Sequence, residues 1–145
     1  MTSAGSIDAN VVLRLLLNDV PEQHDLAVAL LRRSGTLTVS DTALIEANFV
    51  LGRAYELTRA QQAEAILGLV RQPNLTASIE HFEDAFALYL LHPKLSFEDC
   101  YLVVGAQRSR NEPLWTFDKK LSAQTDAQRL TADAIKASGA GAPTN

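Results

Sequence analysis

Four acidic residues lie at positions where an α/β fold collects ligands. Asp8 follows a strand candidate at residues 4–7, and Asp118 follows another at residues 114–117. Glu46 lies one and a half turns into an apolar helix, and Asp99 stands near the start of a helix capped by Ser96. Ligand sites in open α/β sheets lie at the carboxyl ends of the strands. The pattern therefore predicts a site built from carboxylates, if the four meet.

A cluster of four carboxylates needs a cation. Two carboxylates about 4 Å apart repel by roughly 4 kcal/mol at an effective dielectric constant near 20. Ligation by oxygen alone, without histidine or cysteine, selects a hard ion, Mg²⁺ or Mn²⁺. Such an ion orients a phosphodiester, activates water and stabilises the leaving oxygen. The chemistry that these residue types favour is phosphodiester hydrolysis.

Each acid also has an ordinary structural interpretation. Asp8 and Asp118 are suitable N-caps for the helices that follow them. Asp99 stands three residues after Ser96, which is capping-box spacing. Glu46 is a possible surface residue near Arg53. Spacing alone leaves both interpretations open.

Short strands alternate with helices along the chain, which predicts a three-layer α/β/α domain with a small, mostly parallel sheet. The strand candidates are residues 4–7, 36–39, 75–77, 114–117 and 128–130. Helices are expected after Asp8, from Pro21 to Gly35, after Ser40 or Asp41, after Thr58, Ser78 and Ser96, and after Asp118. In the second of these helices, Leu26, Ala29, Leu30 and Arg33 share one face. Phe82, Phe86 and Tyr89 are expected in the core, as is Cys100.

The length of 145 residues suits one domain, with 47% hydrophobic and 21% charged residues. We predict a domain over residues 1–136 and a flexible tail over residues 137–145, which are biased toward small and flexible residues. Cys100 is the single cysteine, which excludes an internal disulfide. No segment is apolar enough to span a membrane, and the first residues lack the features of a signal peptide. A cytoplasmic protein without a membrane partner is expected.

The net charge of −4, from 17 acidic and 13 basic residues, taken alone argues against a nucleic-acid partner. The four candidate site acids account for that excess, because without them 13 acids face 13 bases. One or two divalent ions would cancel half or all of it. The acidic balance is therefore compatible with a nucleic-acid partner.

Four segments resemble a known family in their order and separation. They are Ile7–Leu16, Glu46 with Arg53–Tyr55 after it, Phe97–Ala106, and Leu114–Leu121. Over about residues 5–130, the chain resembles a PIN domain, most closely the small ribonuclease toxins of bacterial toxin–antitoxin pairs (VapC-type). Each segment alone is weak evidence, whereas four in the right order are specific.

The resemblance implies an Mg²⁺-dependent endoribonuclease, with Mn²⁺ as a possible substitute. In the family, the positions of Asp8, Glu46, Asp99 and Asp118 form the catalytic metal site, and those of Asn10 and Thr116 support it. Hydrolysis of RNA would leave a 5′-phosphate and a 3′-hydroxyl. The resemblance further implies a homodimer, inhibited by a small antitoxin protein whose C-terminal segment lies over the active groove.

The chain departs from the family pattern at two positions. Ala9 replaces a common Thr or Ser, and Lys120 replaces an acid present in some members, which removes a candidate ligand for a second metal. Glu98 points about 100° away from Asp99 on the helix, and we expect it at the rim of the site. Five basic residues near the motifs are candidate RNA phosphate contacts, or else ordinary surface charges: Arg14, Arg53, Arg108, Lys119 and Lys120.

Other functions remain as alternatives. The chain could be a PIN-type RNA-processing nuclease outside toxin–antitoxin systems, or a non-catalytic RNA- or protein-binding subunit. A small-molecule phosphohydrolase with Asp8 as nucleophile is disfavoured, because Asn10 stands where a second aspartate is needed. The three histidines, His24, His81 and His92, are interpreted as surface residues, and no glycine-rich phosphate loop is present.

Overall fold

The computed structural model describes residues 3–33 and 35–139, which form two compact units divided between Glu83 and Asp84. The elements in chain order are β1 (Ser3–Ile7), α1 (Ala9–Leu16), α2 (Pro21–Arg32), β2 (Thr36–Val39), α3 (Asp41–Arg53), α4 (Arg59–Val70), β3 (Leu75–Thr76), α5 (Ile79–Leu91), α6 (Phe97–Arg108), β4 (Trp115–Thr116), α7 (Lys119–Gln124), β5 (Gln128–Arg129) and α8 (Ala132–Gly139). No helix among these described residues combines the length and apolar character that crossing a membrane requires.

The first unit contains a parallel three-stranded sheet in the order β1-β2-β3. Ile7 pairs with Val39 at the carboxyl end, and both side chains are buried. The register between β1 and β2 shifts between Ser3 and Gly5, and Gly5 has a φ of 115°, a conformation that favours glycine. Because the strands are parallel, the residues that follow β1 and β2 emerge at the same edge of the sheet.

The helices of the first unit begin where the capping residues predict. Ser40 Oγ accepts a hydrogen bond from the Ala43 N–H, and Thr58 forms a capping box with Gln61. Pro21 occupies the first position of α2, as expected. The core side chains of α1, α3 and α4 include fully buried apolar residues. These elements therefore fix where α1 and α3 begin relative to the sheet.

The face of α2 that carries Leu26, Ala29, Leu30 and Arg33 is not the buried face of the helix. Ala27 is the buried residue of this helix, whereas Leu26 is 71% exposed. Neighbouring residues in an α-helix point about 100° apart, so burial of the small Ala27 side chain turns Leu26 outward. The helix also ends at Arg32, before the expected stop at Gly35.

The second unit contains a parallel two-stranded sheet, in which Trp115 pairs with Gln128 and Thr116 pairs with Arg129. Its core includes an aromatic cluster, with the ring centroids of Phe86 and Phe97 4.5 Å apart. The predicted burial of the core aromatic residues and of Cys100 is confirmed. The strand pairings are parallel in both units, as predicted, but they belong to two small sheets and not to one.

Helix α8 was not predicted. Its residues 132–139 include the first three residues of the expected flexible tail, and residues 140–145 of that tail lie outside the described residues. No residue of α8 is buried. A helix with no buried face gives little hydrophobic periodicity, which is the signal that sequence analysis uses.

Candidate active site

Asp8 lies between the end of β1 and the start of α1, where the sequence places it. Its Oδ1 accepts a hydrogen bond from the Val11 N–H at 2.9 Å, so the residue is the N-cap of α1. The residue is exposed, and it forms no ion pair with any described residue. The capping interpretation is therefore correct, and the cap uses only one of the two carboxylate oxygens of Asp8.

Glu46 lies on α3, which begins directly after β2 at the same edge of the sheet. An open groove of about 500 Å³ is lined by Asp8 and Glu46 together with the polar residues Asn10, Ser40 and Thr42. The Glu46 carboxylate forms no ion pair with Arg53 or with any other described residue. The structure thus brings two of the predicted acids into one polar groove.

Asp118 lies after β4 in the second unit, and its surroundings are well defined. Its Oδ1 accepts hydrogen bonds from the backbone N–H groups of Lys120 at 2.8 Å and Leu121 at 3.1 Å. Its own N–H donates to Thr116 Oγ1 at 3.0 Å. Asp118 is therefore the N-cap of α7, and the Thr116 hydroxyl holds its backbone in position.

Asp99 is the third residue of α6 and is partly buried. Its backbone N–H donates to Ser96 Oγ at 3.1 Å, which is one half of a capping box. The other half would need the Asp99 carboxylate to accept from the Ser96 N–H, and no such hydrogen bond forms. The carboxylate is therefore not used by the cap. Glu98 is exposed, as expected for a rim position.

The donor chemistry of the groove fits a hard cation. Its polar lining consists of carboxylate, hydroxyl and amide oxygens, which Mg²⁺ and Mn²⁺ prefer. Within either unit taken alone, the described residues include no group of three or more His, Cys, Asp or Glu side chains that could hold a metal ion. The first unit supplies a pair of acids, Asp8 and Glu46.

The five candidate phosphate contacts differ in their surroundings. Arg14 is only 13% exposed and pairs with Asp19 at 2.7 Å, and Arg108 pairs with Asp84 at 3.2 Å. Arg53, Lys119 and Lys120 are exposed and form no ion pair with the described residues. The last three are consequently the more available cations.

Sequence analysis missed the contacts of Asp19. This carboxylate accepts hydrogen bonds from the Tyr55 hydroxyl at 2.5 Å and from Arg14 Nη1 at 2.7 Å. The Tyr55 hydrogen bond, aided by the positive charge of Arg14, lowers the pKa of Asp19. The pKa of Arg14 is raised by its own hydrogen bond to the Tyr55 hydroxyl and by the negative charge of Asp19. The residues are not spaced as helix neighbours, so the sequence gives no local signal for the contact.

A second hollow adjoins the polar groove. It has a volume of about 340 Å³, and Leu26, Ala27 and Leu30 of α2 contribute apolar side chains to it. Asp8 and Asn10 line both hollows. An apolar surface therefore borders the candidate site.

Comparison with known proteins identifies one family. The family model of the PIN domain matches residues 6–127, a range that contains all four predicted acids. Among curated proteins, no sequence matches the chain. The match confirms the predicted fold class, an α/β fold with helices and small parallel sheets.

Proposed function

The chain belongs to the PIN domain family, generally a nuclease fold, and from this premise we propose that it is an Mg²⁺-dependent endoribonuclease. Its substrate is RNA, and hydrolysis of the phosphodiester bond leaves a 5′-phosphate and a 3′-hydroxyl. Mn²⁺ is expected to replace Mg²⁺, because both ions prefer oxygen ligands.

The observation that carries the proposal is the groove shared by Asp8 and Glu46. Both acids line it at the carboxyl edge of the sheet, and neither is neutralised by a basic side chain of the described residues. In the proposed enzyme, Asp8, Glu46, Asp99 and Asp118 hold the cation. When bound, Mg²⁺ supplies positive charge to the phosphate and makes water a better nucleophile.

The chain's other residues orient the site and the substrate. Thr116 fixes the backbone at Asp118 through a hydrogen bond of 3.0 Å, and Asn10 lines the groove beside Asp8. Lys119 and Lys120 are exposed cations next to Asp118 and are suited to contact RNA phosphates. Arg53 is proposed for the same role, whereas the ion pairs of Arg14 and Arg108 make their contribution smaller.

We further propose that the protein is the toxin of a toxin–antitoxin pair, acting in the cytoplasm as a homodimer. The resemblance of its motifs to those of VapC-type toxins supports this role. The apolar hollow beside Asp8 supports binding of an antitoxin segment, because exposed apolar surface beside a site is suited to a protein partner. A segment bound there would block access to the groove.

Controlled expression with sequencing of RNA 5′ ends tests the proposal, with Asp8→Ala as the control. The proposal predicts growth arrest and new 5′ ends with the wild type, and neither with the variant. Cleavage of RNA in Mg²⁺, and none in EDTA, is the expected result with purified protein. Cleavage without growth arrest would support the RNA-processing alternative, and equal cleavage by Asp8→Ala would refute the proposed active site.

A further inference from the structure

Two aromatic side chains next to Asp118 are exposed. Trp115 is 39% exposed and Phe117 is 77% exposed. Other phenylalanines of the second unit, Phe86 and Phe97, are almost completely buried. Large aromatic rings contribute much stability when buried, so two exposed rings within three residues indicate a binding surface.

The backbone that carries these rings is held in place. The Thr116 carbonyl accepts a hydrogen bond from the Leu130 N–H at 2.7 Å, and Trp115 pairs with Gln128 in the sheet. The hydrogen bond from the Asp118 N–H to Thr116 Oγ1 closes a turn around Phe117. The Phe117 ring thus projects from a fixed backbone directly before Asp118. A prearranged surface loses less entropy when a ligand binds.

Two cations follow this surface along the chain. Lys119 and Lys120 come directly after Asp118. Both are exposed, and neither forms an ion pair with the described residues. A ligand that fits here carries both negative charge and flat apolar faces. Single-stranded nucleic acid has this combination, because its unpaired bases stack on aromatic rings and its phosphates contact cations.

We propose that Trp115 and Phe117 form a stacking surface for unpaired RNA bases, with Lys119 and Lys120 on the adjoining phosphates. This inference rests on the proposed function, and it deepens it by naming two residues that would bind unpaired bases of the RNA. Bases within a duplex stack on each other, so their faces are not accessible to the rings. A second copy of the chain fits this surface less well than RNA does. Its net charge is only −4, and it has no regular row of phosphates.

Trp115 is the only tryptophan of the chain, so its fluorescence reports directly on this surface. Titration with a single-stranded RNA oligonucleotide in EDTA, which prevents metal-dependent cleavage, is expected to quench Trp115 fluorescence. The matching duplex RNA is expected to give little quenching. Phe117→Ala is expected to weaken binding of the single strand at least about fivefold, the lower limit for the loss of one base stack. Phe117→Tyr keeps a ring and should bind like the wild type.

Phe49→Ala is the matched control, since Phe49 is an exposed phenylalanine, 54% accessible, on α3 of the first unit. It should leave RNA binding unchanged. Equal affinity of Phe117→Ala and the wild type, or equal quenching by duplex RNA, would overturn the inference. A fluorescence change on dilution of the protein, without a response to RNA, would also overturn it by assigning the rings to self-association.

The two proposals fail separately. Cleavage of RNA in Mg²⁺ with unchanged binding by Phe117→Ala refutes the stacking surface and retains the nuclease. Stacking in EDTA without any cleavage in Mg²⁺ refutes the nuclease and retains the stacking surface.

Discussion

Two aspartates lie on either side of helix α1, and their surroundings are opposite. Asp19, after the helix, accepts hydrogen bonds from Tyr55 and Arg14. Asp8, before the helix, accepts a hydrogen bond only from a backbone N–H and has no basic partner among the described residues. Both are parts of the same unit, so the contrast reflects local chemistry.

The difference separates structural from functional carboxylates. The charge of Asp19 is balanced by the fold itself, and the contact joins the turn after α1 to the turn after α3. The charge of Asp8 is left for a ligand, at the edge of the sheet where Glu46 lines the same groove. We therefore expect substitutions at Asp8 to change activity and substitutions at Asp19 to change stability.

The largest expected effect is on RNA cleavage. Asp8→Asn should lower the cleavage rate in Mg²⁺ about 100-fold or more, because removing a cation ligand weakens charge stabilisation worth several kcal/mol. Asn is as good an N-cap as Asp, so α1 should remain intact. The rate is measured with a labelled single-stranded RNA under single-turnover conditions.

Asp19→Asn is the matched control for this experiment. It removes the same charge on the other side of α1, and the cleavage rate should stay within about twofold of the wild type. A large loss of cleavage in Asp19→Asn with full cleavage in Asp8→Asn would reverse the assignment of the two residues.

The next largest expected effect is on thermal stability. Here, loss of the Asp19 contact should have a larger effect than substitution of Asp8. Tyr55→Phe removes the hydroxyl that donates to Asp19. It should lower the Tm by a few degrees, the scale expected for losing one hydrogen bond at a solvent-accessible site in a chain of this size. Asp8→Asn should leave the Tm nearly unchanged. The Tm of each variant is measured by thermal unfolding followed by circular dichroism. A lower Tm for Asp8→Asn than for Tyr55→Phe would contradict the structural role assigned to Asp19.

A smaller effect is expected on the pH dependence of stability. The pKa of Asp19 lies below its usual value of 3.8, chiefly because of the Tyr55 hydrogen bond and then because of Arg14. A carboxyl whose pKa is lower in the folded state adds stability above its unfolded pKa, and that stability is lost as the pH falls through the folded pKa. The Tm difference between the wild type and Asp19→Asn should therefore be constant near neutral pH and shrink below pH 3.8. A difference that grows on acidification would contradict this account.

The smallest expected effect is on RNA binding, and it compares a basic residue without an ion-pair partner with one that has a partner. Lys119 has no ion-pair partner in the described part of the chain, whereas Arg108 is paired with Asp84. Lys119→Ala should weaken RNA binding for all sequences and reduce the salt dependence by about one unit of log–log slope. Arg108→Ala should change the slope less. The slopes are obtained from RNA binding measured over a range of salt concentrations. A larger change of slope for Arg108→Ala would contradict the interpretation that Lys119 is the more available cation.

Features of the fold that depend on local signals were predictable. Asp8 and Asp118 follow apolar strand residues, and both were expected as caps or as site acids, which the structure allows together. Ser96 and Thr58 identified their helix starts because capping is a short-range interaction. The positions of the strands were predictable to within one or two residues, because a short run of strand-forming residues is also a local signal.

Features that depend on tertiary contacts were not predictable. The hydrogen bond between Tyr55 and Asp19 joins residues that are distant in sequence. The outward position of Leu26 depends on which neighbour α2 buries, and the exposure of Phe117 depends on a turn closed by Thr116. Periodicity describes one element at a time, so it cannot predict which face the rest of the fold covers.

The most direct test of the central claim is a calorimetric titration with Mn²⁺ at neutral pH, comparing the wild type with Asp8→Asn and Asp19→Asn. We predict that the wild type and Asp19→Asn bind Mn²⁺ with the same affinity, and that Asp8→Asn binds at least about tenfold more weakly. Binding of Mn²⁺ by Asp8→Asn with wild-type affinity, or no binding by the wild type, would contradict the assignment of Asp8 to a metal site.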